Sequence, residues 1–449
     1  MPRESQRNSE NIRFRMKKQL YLCCAALLLL QCACAAQVRQ ENINEHTLMP
    51  EGASVAGVNI SRVRFGSARS SIAQALGDPV FTFVFPEEEL KISAAELGIR
   101  YDIDATLTAV CHGEDCRYVS MIADETVLQA RLSRIAAKYR TAAGDASVAI
   151  DRSSGQLFQY TPETVGREVA LDALTDRIHQ AMQAGELRVT VPCTTIAPEV
   201  TVVDIQKTRQ PVASFTTSFS SYPQNNANRI FNIKKAAKAI HGITLAPGEQ
   251  FDCNAALGDR NAENGWREAA GIRNGAYVNE YGGGVCQVSS TLFNAVMMAD
   301  LTVTERSPHS WPMGYIGIGR DATISTGGKN FRFVNSTESD IVIGAHVDES
   351  KMTLTCTIYG TPLPDGQKIK IRSEQTGSLE DAAEELVLDE SLPYNTRIVE
   401  RKARRGKTSR TYKEYYDAAG EFIRRVTVYE DTYRSIPARV LVSTDIYYS

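Results

Sequence analysis

The chain has 449 residues with ten cysteines and six histidines, and one residue of each type stands where chemistry is expected. Cys286 closes the run Tyr281-Gly282-Gly283-Gly284-Val285-Cys286. After it, Val288, Leu292, Ala295, Val296 and Ala299 recur at helical spacing. Phe293, Met297 and Met298 make the opposite side apolar too, so the spacing predicts a core helix. Cys286 then lies in its first turn. There the unpaired backbone N–H groups and the helix dipole favour a thiolate, with thiol pKa values lowered to about 3.5–7.5 in such settings. The same N–H groups suit an oxyanion. The three glycines permit positive φ and close approach of a ligand or a second backbone.

A thiolate nucleophile needs a base or a cation beside it. His309, in Glu305-Arg306-Ser307-Pro308-His309-Ser310, is the histidine that lies near both an Arg and the Cys286 helix in sequence. The helix is predicted to end near Asp300, and Leu301–Glu305 reads as a strand returning towards its start. Asp321, in Gly319-Arg320-Asp321-Ala322-Thr323, is the third candidate, as imidazole orienter or substrate contact. Two bland readings stand beside this one: Cys286 as half of a disulfide with Cys253 or Cys356, and His309 as a hydrogen-bonded core residue. No HExxH, Walker, GxGxxG or CxxC pattern occurs.

The elements that must position these residues belong to an ordinary globular composition, 43% hydrophobic and 23% charged, which excludes wholesale disorder, collagen and a polytopic membrane protein. A net charge of −3 gives no global argument for nucleic-acid binding. At about 150 residues per domain the length suggests about three domains. Lys17 and Lys18 precede an apolar run from Leu20 to Leu30 and small residues at Ala33-Cys34-Ala35-Ala36. Residues 1–36 therefore read as a secretory signal peptide or a single N-terminal membrane anchor, and the remainder as exported. Of the six cysteines beyond this leader, Cys111 and Cys116 close a short His-Gly-Glu-Asp loop and are expected to form a local disulfide; a metal site with His112, Glu114 or Asp115 is the alternative.

The pattern predicts an α+β, multidomain chain: two tandem small α+β modules over 44–118 and 119–200, an α+β domain over 201–360, and a small β-rich C-terminal domain over 361–449. Helices are expected over Ser67–Leu76 with a Ser cap, Thr126–Tyr139, Leu171–Ala184 and Asn228–Ile240. Strands are expected over Val80–Phe85 and in a hairpin of Ile341–Val347 with Met352–Tyr359. In the C-terminal region, Arg397–Lys413 holds eight Lys/Arg against one Glu. That run is either a basic face for anionic wall polymers or a solvated strand face.

Residues about 213–360 resemble the VanW domain. The landmarks are Asn228-Arg229 with Asn232-Ile233, Pro247-Gly248-Glu249-Gln250-Phe251, Asn254, Gly282 to Ser289, Leu292-Phe293-Asn294, Glu305-Arg306 with His309-Ser310, Gly319–Thr323 and Phe331–Asn335. Residues 44–200 resemble the peptidoglycan-binding modules that often precede it, and the tail is loosely similar to wall-associated domains that often follow. The family is named for an accessory gene of glycopeptide-resistance clusters, and the resemblance implies a cell-envelope protein. For some members it implies L,D-transpeptidation by the Cys of the Gly-Gly-Gly-x-Cys motif. The sequence departs from the family in having Ser289-Ser290-Thr291 where Ser-Thr-Thr is usual, and Cys253 where an aromatic residue is common.

The expected site thus comprises Cys286, His309 and Asp321 as catalytic residues. Arg306 is expected on the stem carboxylate, and Gly283, Gly284, Gln287, Ser289 and Arg229 around the substrate. No cofactor, metal or nucleic acid is expected; the partners are peptidoglycan stem peptides. A non-catalytic wall-binding scaffold and a cysteine peptidase of the wall are the other classes.

Overall fold

The computed structural model describes residues 43–153, 156–219, 226–273 and 276–449, so the predicted leader lies outside the described residues. The architecture is α+β and multidomain. Two compact units are formed, the first running to Thr141 and resuming over Arg167–Ile196, the second taking Ala142–Gly166 and Ala197–Ser449.

In the first unit, the alternation of Val80–Val84 puts Phe81 and Phe83 on one face, and both are fully buried. The helices Glu125–Lys138 and Leu171–Ala184 cover that face with Leu128, Leu132, Leu174 and Ile178. Val80–Val84 pairs antiparallel with Glu89–Ser93 and parallel with Arg188–Thr190. Residues near 80 are therefore tied to residues near 190. The expected modules 44–118 and 119–200 share this second core, and a smaller core around Met49, Phe65, Ile72 and Leu107 remains to the first. The Phe65–Leu76 helix starts two residues before the expected Ser cap and has no side-chain cap, whereas Asp124 caps its helix through the N–H groups of Thr126 and Val127.

The expected Cys111–Cys116 bridge is not formed; both are free thiols. Cys111 ends the Ile103–Cys111 helix with its Sγ 3.8 Å from Met49 Sδ, and both cysteines pack as apolar side chains against the core around Met49 and Phe65.

In the second unit a four-stranded antiparallel sheet runs in the order Gln210–Ser218, Thr353–Gly360, Ile341–Asp348, Ile243–Leu245. Leu354, Cys356 and Ile358 point inwards, as period-two alternation requires. The Ala227–Ile240 helix and the Val285–Met298 helix pack with it in one core. That core also takes Ile369, Ile371 and Tyr415, and Tyr429 stacks edge-on to Phe293 with ring centres 5.6 Å apart. The C-terminal strands Lys368–Ser378, Lys407–Tyr416 and Phe422–Tyr433 therefore build on the same core as the Cys286 helix. The basic run of the tail is met by its own acidic segment, through Arg397–Glu384, Arg401–Glu385 and Arg405–Asp381 pairs. That pairing accounts for much of its charge as a local strand-face network.

Candidate active site

The Cys286 helix is built by what precedes it and by its own polar face. Gly284 caps it at φ 106°, and a Cβ on Gly283 would stand 2.4 Å from the Ala269 carbonyl oxygen, so this backbone approach requires glycine. Ser289, Ser290 and Asn294 are fully buried, an expensive position for polar groups unless each is bonded. They are. Ser289 Oγ donates to the Ala322 carbonyl (2.6 Å), Ser290 Oγ accepts from the Ala322 N–H (2.9 Å), and Asn294 Nδ2 donates to the Arg320 carbonyl (2.8 Å). The helix thus fixes the loop 319–324, which carries Asp321.

Asp321 is bonded to His309, and His309 lines the same cleft as Cys286. Asp321 Oδ2 accepts from both the His309 backbone N–H and its ring Nδ1, each at 2.6 Å. With Nδ1 so engaged, Nε2 is the ring nitrogen left free to interact with the Cys286 thiol on the same cleft. Cys286 Sγ also lies 3.4 Å from the Ile324 carbonyl oxygen. Burial pushes the Cys286 thiol up, but the hydrogen bond and charge of His309 outweigh it, so its pKa falls below the ordinary thiol value. Burial likewise opposes charge on His309, and the Asp321 and Cys286 hydrogen bonds overcome it, raising the imidazole to about 9. Asp321 is held well below the usual carboxylate range: its burial is outweighed by the His309 hydrogen bond and charge, the Arg306 charge and the Tyr433 hydroxyl. Asp321 is thus the imidazole orienter of the two roles expected for it.

Two residues of the site have no signal in the sequence because they come from the far end of the chain. Tyr433 OH donates to Asp321 Oδ1 (2.6 Å) and accepts from the Gly319 N–H (2.8 Å). Asp431 holds the Arg306 guanidinium through both oxygens, at 2.5 and 2.7 Å. This corrects the expectation for Arg306. Its side chain is 2% exposed, stacked over Phe293 and Tyr429, and its donors go to Asp431, Asp321 and the Asp321 and Gly319 carbonyls. It braces Asp321 and does not face a ligand.

The open space in front of Cys286 is a cleft of about 530 Å³, lined by the glycine run, His309, Tyr315 and Thr323 to Thr326, with Arg229, Arg260 and Glu280. Gly283 and Gly284 line it as expected. Gln287 and Arg229 are at its floor but bound to each other, Arg229 Nη2 to Gln287 Oε1 at 2.7 Å, and Gln287 also donates to Thr217 Oγ1 and the Ser218 carbonyl. Ser289 does not line the cleft; it is the internal clamp on Ala322. Among the described residues no group of three His, Cys, Asp or Glu is placed to hold a metal ion.

The chain belongs to the VanW family: a family model described as "VanW like protein" matches residues 228–358, and a peptidoglycan binding domain model matches residues 90–190. It is 35% identical over 212 residues to the uncharacterized protein YoaR of Bacillus subtilis, covering 47% of this chain and 68% of that protein. It is 28% identical over 182 residues to the vancomycin B-type resistance protein VanW of Enterococcus faecalis, covering 38% of this chain and 64% of that protein. Among solved structures, the G5 domain of an IgA1 protease covers 17% of this chain and 92% of its own at 19% identity, with a TM-score of 0.13. The family match ends before Asp431 and Tyr433.

Proposed function

We propose that this protein is an exported L,D-transpeptidase that crosslinks peptidoglycan stem peptides through Cys286. The observation that carries the reading is Cys286 and the Asp321-bonded His309 lining one cleft of about 530 Å³, in a chain that also matches a peptidoglycan binding domain. The thiolate attacks the carbonyl between an L and a D centre of a donor stem. The carbon–sulfur bond forms, the amide carbon–nitrogen bond breaks, and the leaving amine takes its proton from the His309 imidazolium. An amine of a second stem then displaces the thioester sulfur while His309 takes up its proton. Asp321 holds the imidazole ring in place and stabilises its charge. The N–H groups of Val285 and Gln287 already bond the Gly282 and Gly284 carbonyls. That leaves the first-turn N–H groups of Cys286 and Val288 as the backbone donors for the oxyanion, out of the Cys286–Val288 turn expected from sequence.

The test is to incubate the protein with tetrapeptide stems, measure its intact mass, and compare muropeptides of cells with and without it. A stem acyl group on Cys286, lost in Cys286→Ala, together with crosslinks between diamino acid residues, is expected. No acyl adduct overturns the reading; an adduct that yields only shortened free stems converts it to a peptidase.

A further inference from the structure

A cation of the Cys286 cleft, Arg260, has a donor to spare among the described residues. Arg260 lines the space with Cys286 and His309. Its Nη1 donates to the Gly258 carbonyl at 2.8 Å, while its buried Nη2 has no hydrogen-bond partner among the described residues. The arm is held in place by the glycine run: a Cβ on Gly282 would stand 2.6 Å from Arg260 Cγ, so the arginine stem occupies the space a side chain at 282 would need. Thr323, on the same cleft, also has a buried hydroxyl without a partner among the described residues. Buried donors are nearly always satisfied, and two orphans beside a reactive thiol point to a polar ligand group that fills them. Burial disfavours the charge of Arg260 and outweighs the favourable charges of Cys286, Cys253, Asp259 and Glu280 around it. An incoming anion at Nη2 would restore that balance.

We infer that Arg260, with Thr323 beside it, binds the free α-carboxylate of the residue that leaves when Cys286 is acylated. This rests on the acyl-transfer reading above and names its donor class: a peptide with one residue, ending in a carboxylate, beyond the scissile carbonyl. Arg presents two parallel N–H donors to such a group, which Lys cannot. One residue spans about 3.8 Å between Cα atoms, so that carboxylate stays close to the scissile carbonyl, in the cleft that Arg260 and Cys286 both line. A longer donor would carry an uncharged amide to Nη2 and leave the guanidinium buried without its anion. Arg306, already committed to Asp431, has no such donor to offer.

The experiment follows acylation of Cys286 by intact-mass spectrometry with two synthetic tetrapeptide stems, identical except that one ends in a free acid and the other in a carboxamide. The wild-type protein is expected to prefer the acid by about 100-fold. Arg260→Gln should lose that preference by slowing the acid alone, and Arg260→Lys should restore part of it. Iodoacetamide labelling of Cys286 in Arg260→Gln, expected within a few-fold of wild type, shows that the fold and the nucleophile persist. Equal rates for acid and amide in the wild type, or a preference retained in Arg260→Gln, would overturn the assignment and leave the transpeptidase reading standing. Labelling of Cys286 by iodoacetamide with no acylation by either stem would defeat that reading, and the assignment with it.

Discussion

Two cysteines of the same core stand in the first turn of a helix, and the fold treats them in opposite ways. Cys253 opens the Cys253–Leu257 helix behind the Asp252 cap and is fully buried, and its thiol is pushed up to about 12 by burial and by the neighbouring Cys286 and Asp252 charges. Cys286 opens the Val285–Met298 helix behind Gly284, is partly exposed on the cleft, and is shifted the other way. Both have a helix start; only Cys286 has an imidazole. A carboxylate cap also places a negative charge on the N–H groups that would otherwise favour a thiolate, and a glycine cap leaves them free of one. The helix N-terminus is thus common to both, and what sets Cys286 apart is the His309 imidazole that lowers its thiol.

The sharpest way to break this comparison is at the nucleophile. Cys286→Ala should abolish acyl transfer, a loss on the order of 10⁶-fold for a residue of this kind. It should cost about 1 kcal/mol or less in stability, because Ala is well tolerated at a helix start. A stability loss on the scale of a core deletion, read by thermal unfolding, would make Cys286 a second Cys253.

Next in size is the imidazole and its support. Asp321→Asn should lower the rate of acyl transfer by about 10⁴-fold, by analogy with a triad carboxylate that fixes the tautomer. For the wild type, the thiolate–imidazolium pair persists from the lowered thiol pKa up to about 9, where His309 loses its proton. Iodoacetamide labelling of Cys286 should therefore stay fast well below the usual thiol midpoint of about 8.5, and in His309→Ala its midpoint should rise towards that value. Stability follows the same pair. The His309 pKa is raised from 6.5 to about 9, so the charged imidazole stabilises the fold fully below about pH 6.5, and that contribution is lost as pH rises through 9. Unfolding temperatures of wild type and His309→Ala should converge between those limits; superimposable labelling profiles would separate the histidine from the cysteine.

Much of this site was legible because its parts are close in sequence. The glycine run, the helix period around Val288 and Leu292, and the short return from Asp300 to His309 are local signals, and the helix Leu171–Ala184 was readable to the residue for the same reason. The rest depends on distant pairing. The parallel match of Arg188–Thr190 to Val80–Val84 leaves no mark on either strand, so one core was read as parts of two modules. Ser289, Ser290 and Asn294 look like neutral polar residues in an apolar helix, and only the loop they hold explains them. Arg306 reads as a ligand for a substrate carboxylate until Asp431, distant in sequence, is seen to occupy it.

The interior half of the comparison is tested by Cys253→Ala and Cys356→Ala. Each removes a buried sulfur from a filled core, where both side chains are 0% exposed. A loss of about 1–3 kcal/mol is expected for a cavity of this size, with Cys286 labelling unchanged. Altered labelling would mean that the interior thiols help set the nucleophile.

The smallest effect expected on acyl transfer itself is at Tyr433, and it sharpens the comparison most finely, because it asks how far the support for His309 extends. The Tyr433 hydroxyl donates to Asp321 Oδ1 and accepts from the Gly319 N–H. In Tyr433→Phe, Asp321 keeps the two His309 bonds on Oδ2 and the Arg306 contact at 3.4 Å, so it stays ionised and keeps hold of the ring. The buried Gly319 N–H loses its acceptor, which costs about 1–3 kcal/mol. Acyl transfer should fall by only about 3–10-fold, since one charge-assisted hydrogen bond to the carboxylate is removed. The pH at which His309 loses its proton should fall modestly below about 9, because the ionised carboxylate loses the bond that fixes Oδ1 and so stabilises the imidazolium in a less fixed geometry. An unchanged pH profile with only lower thermal stability would confine Tyr433 to holding the Gly319 turn.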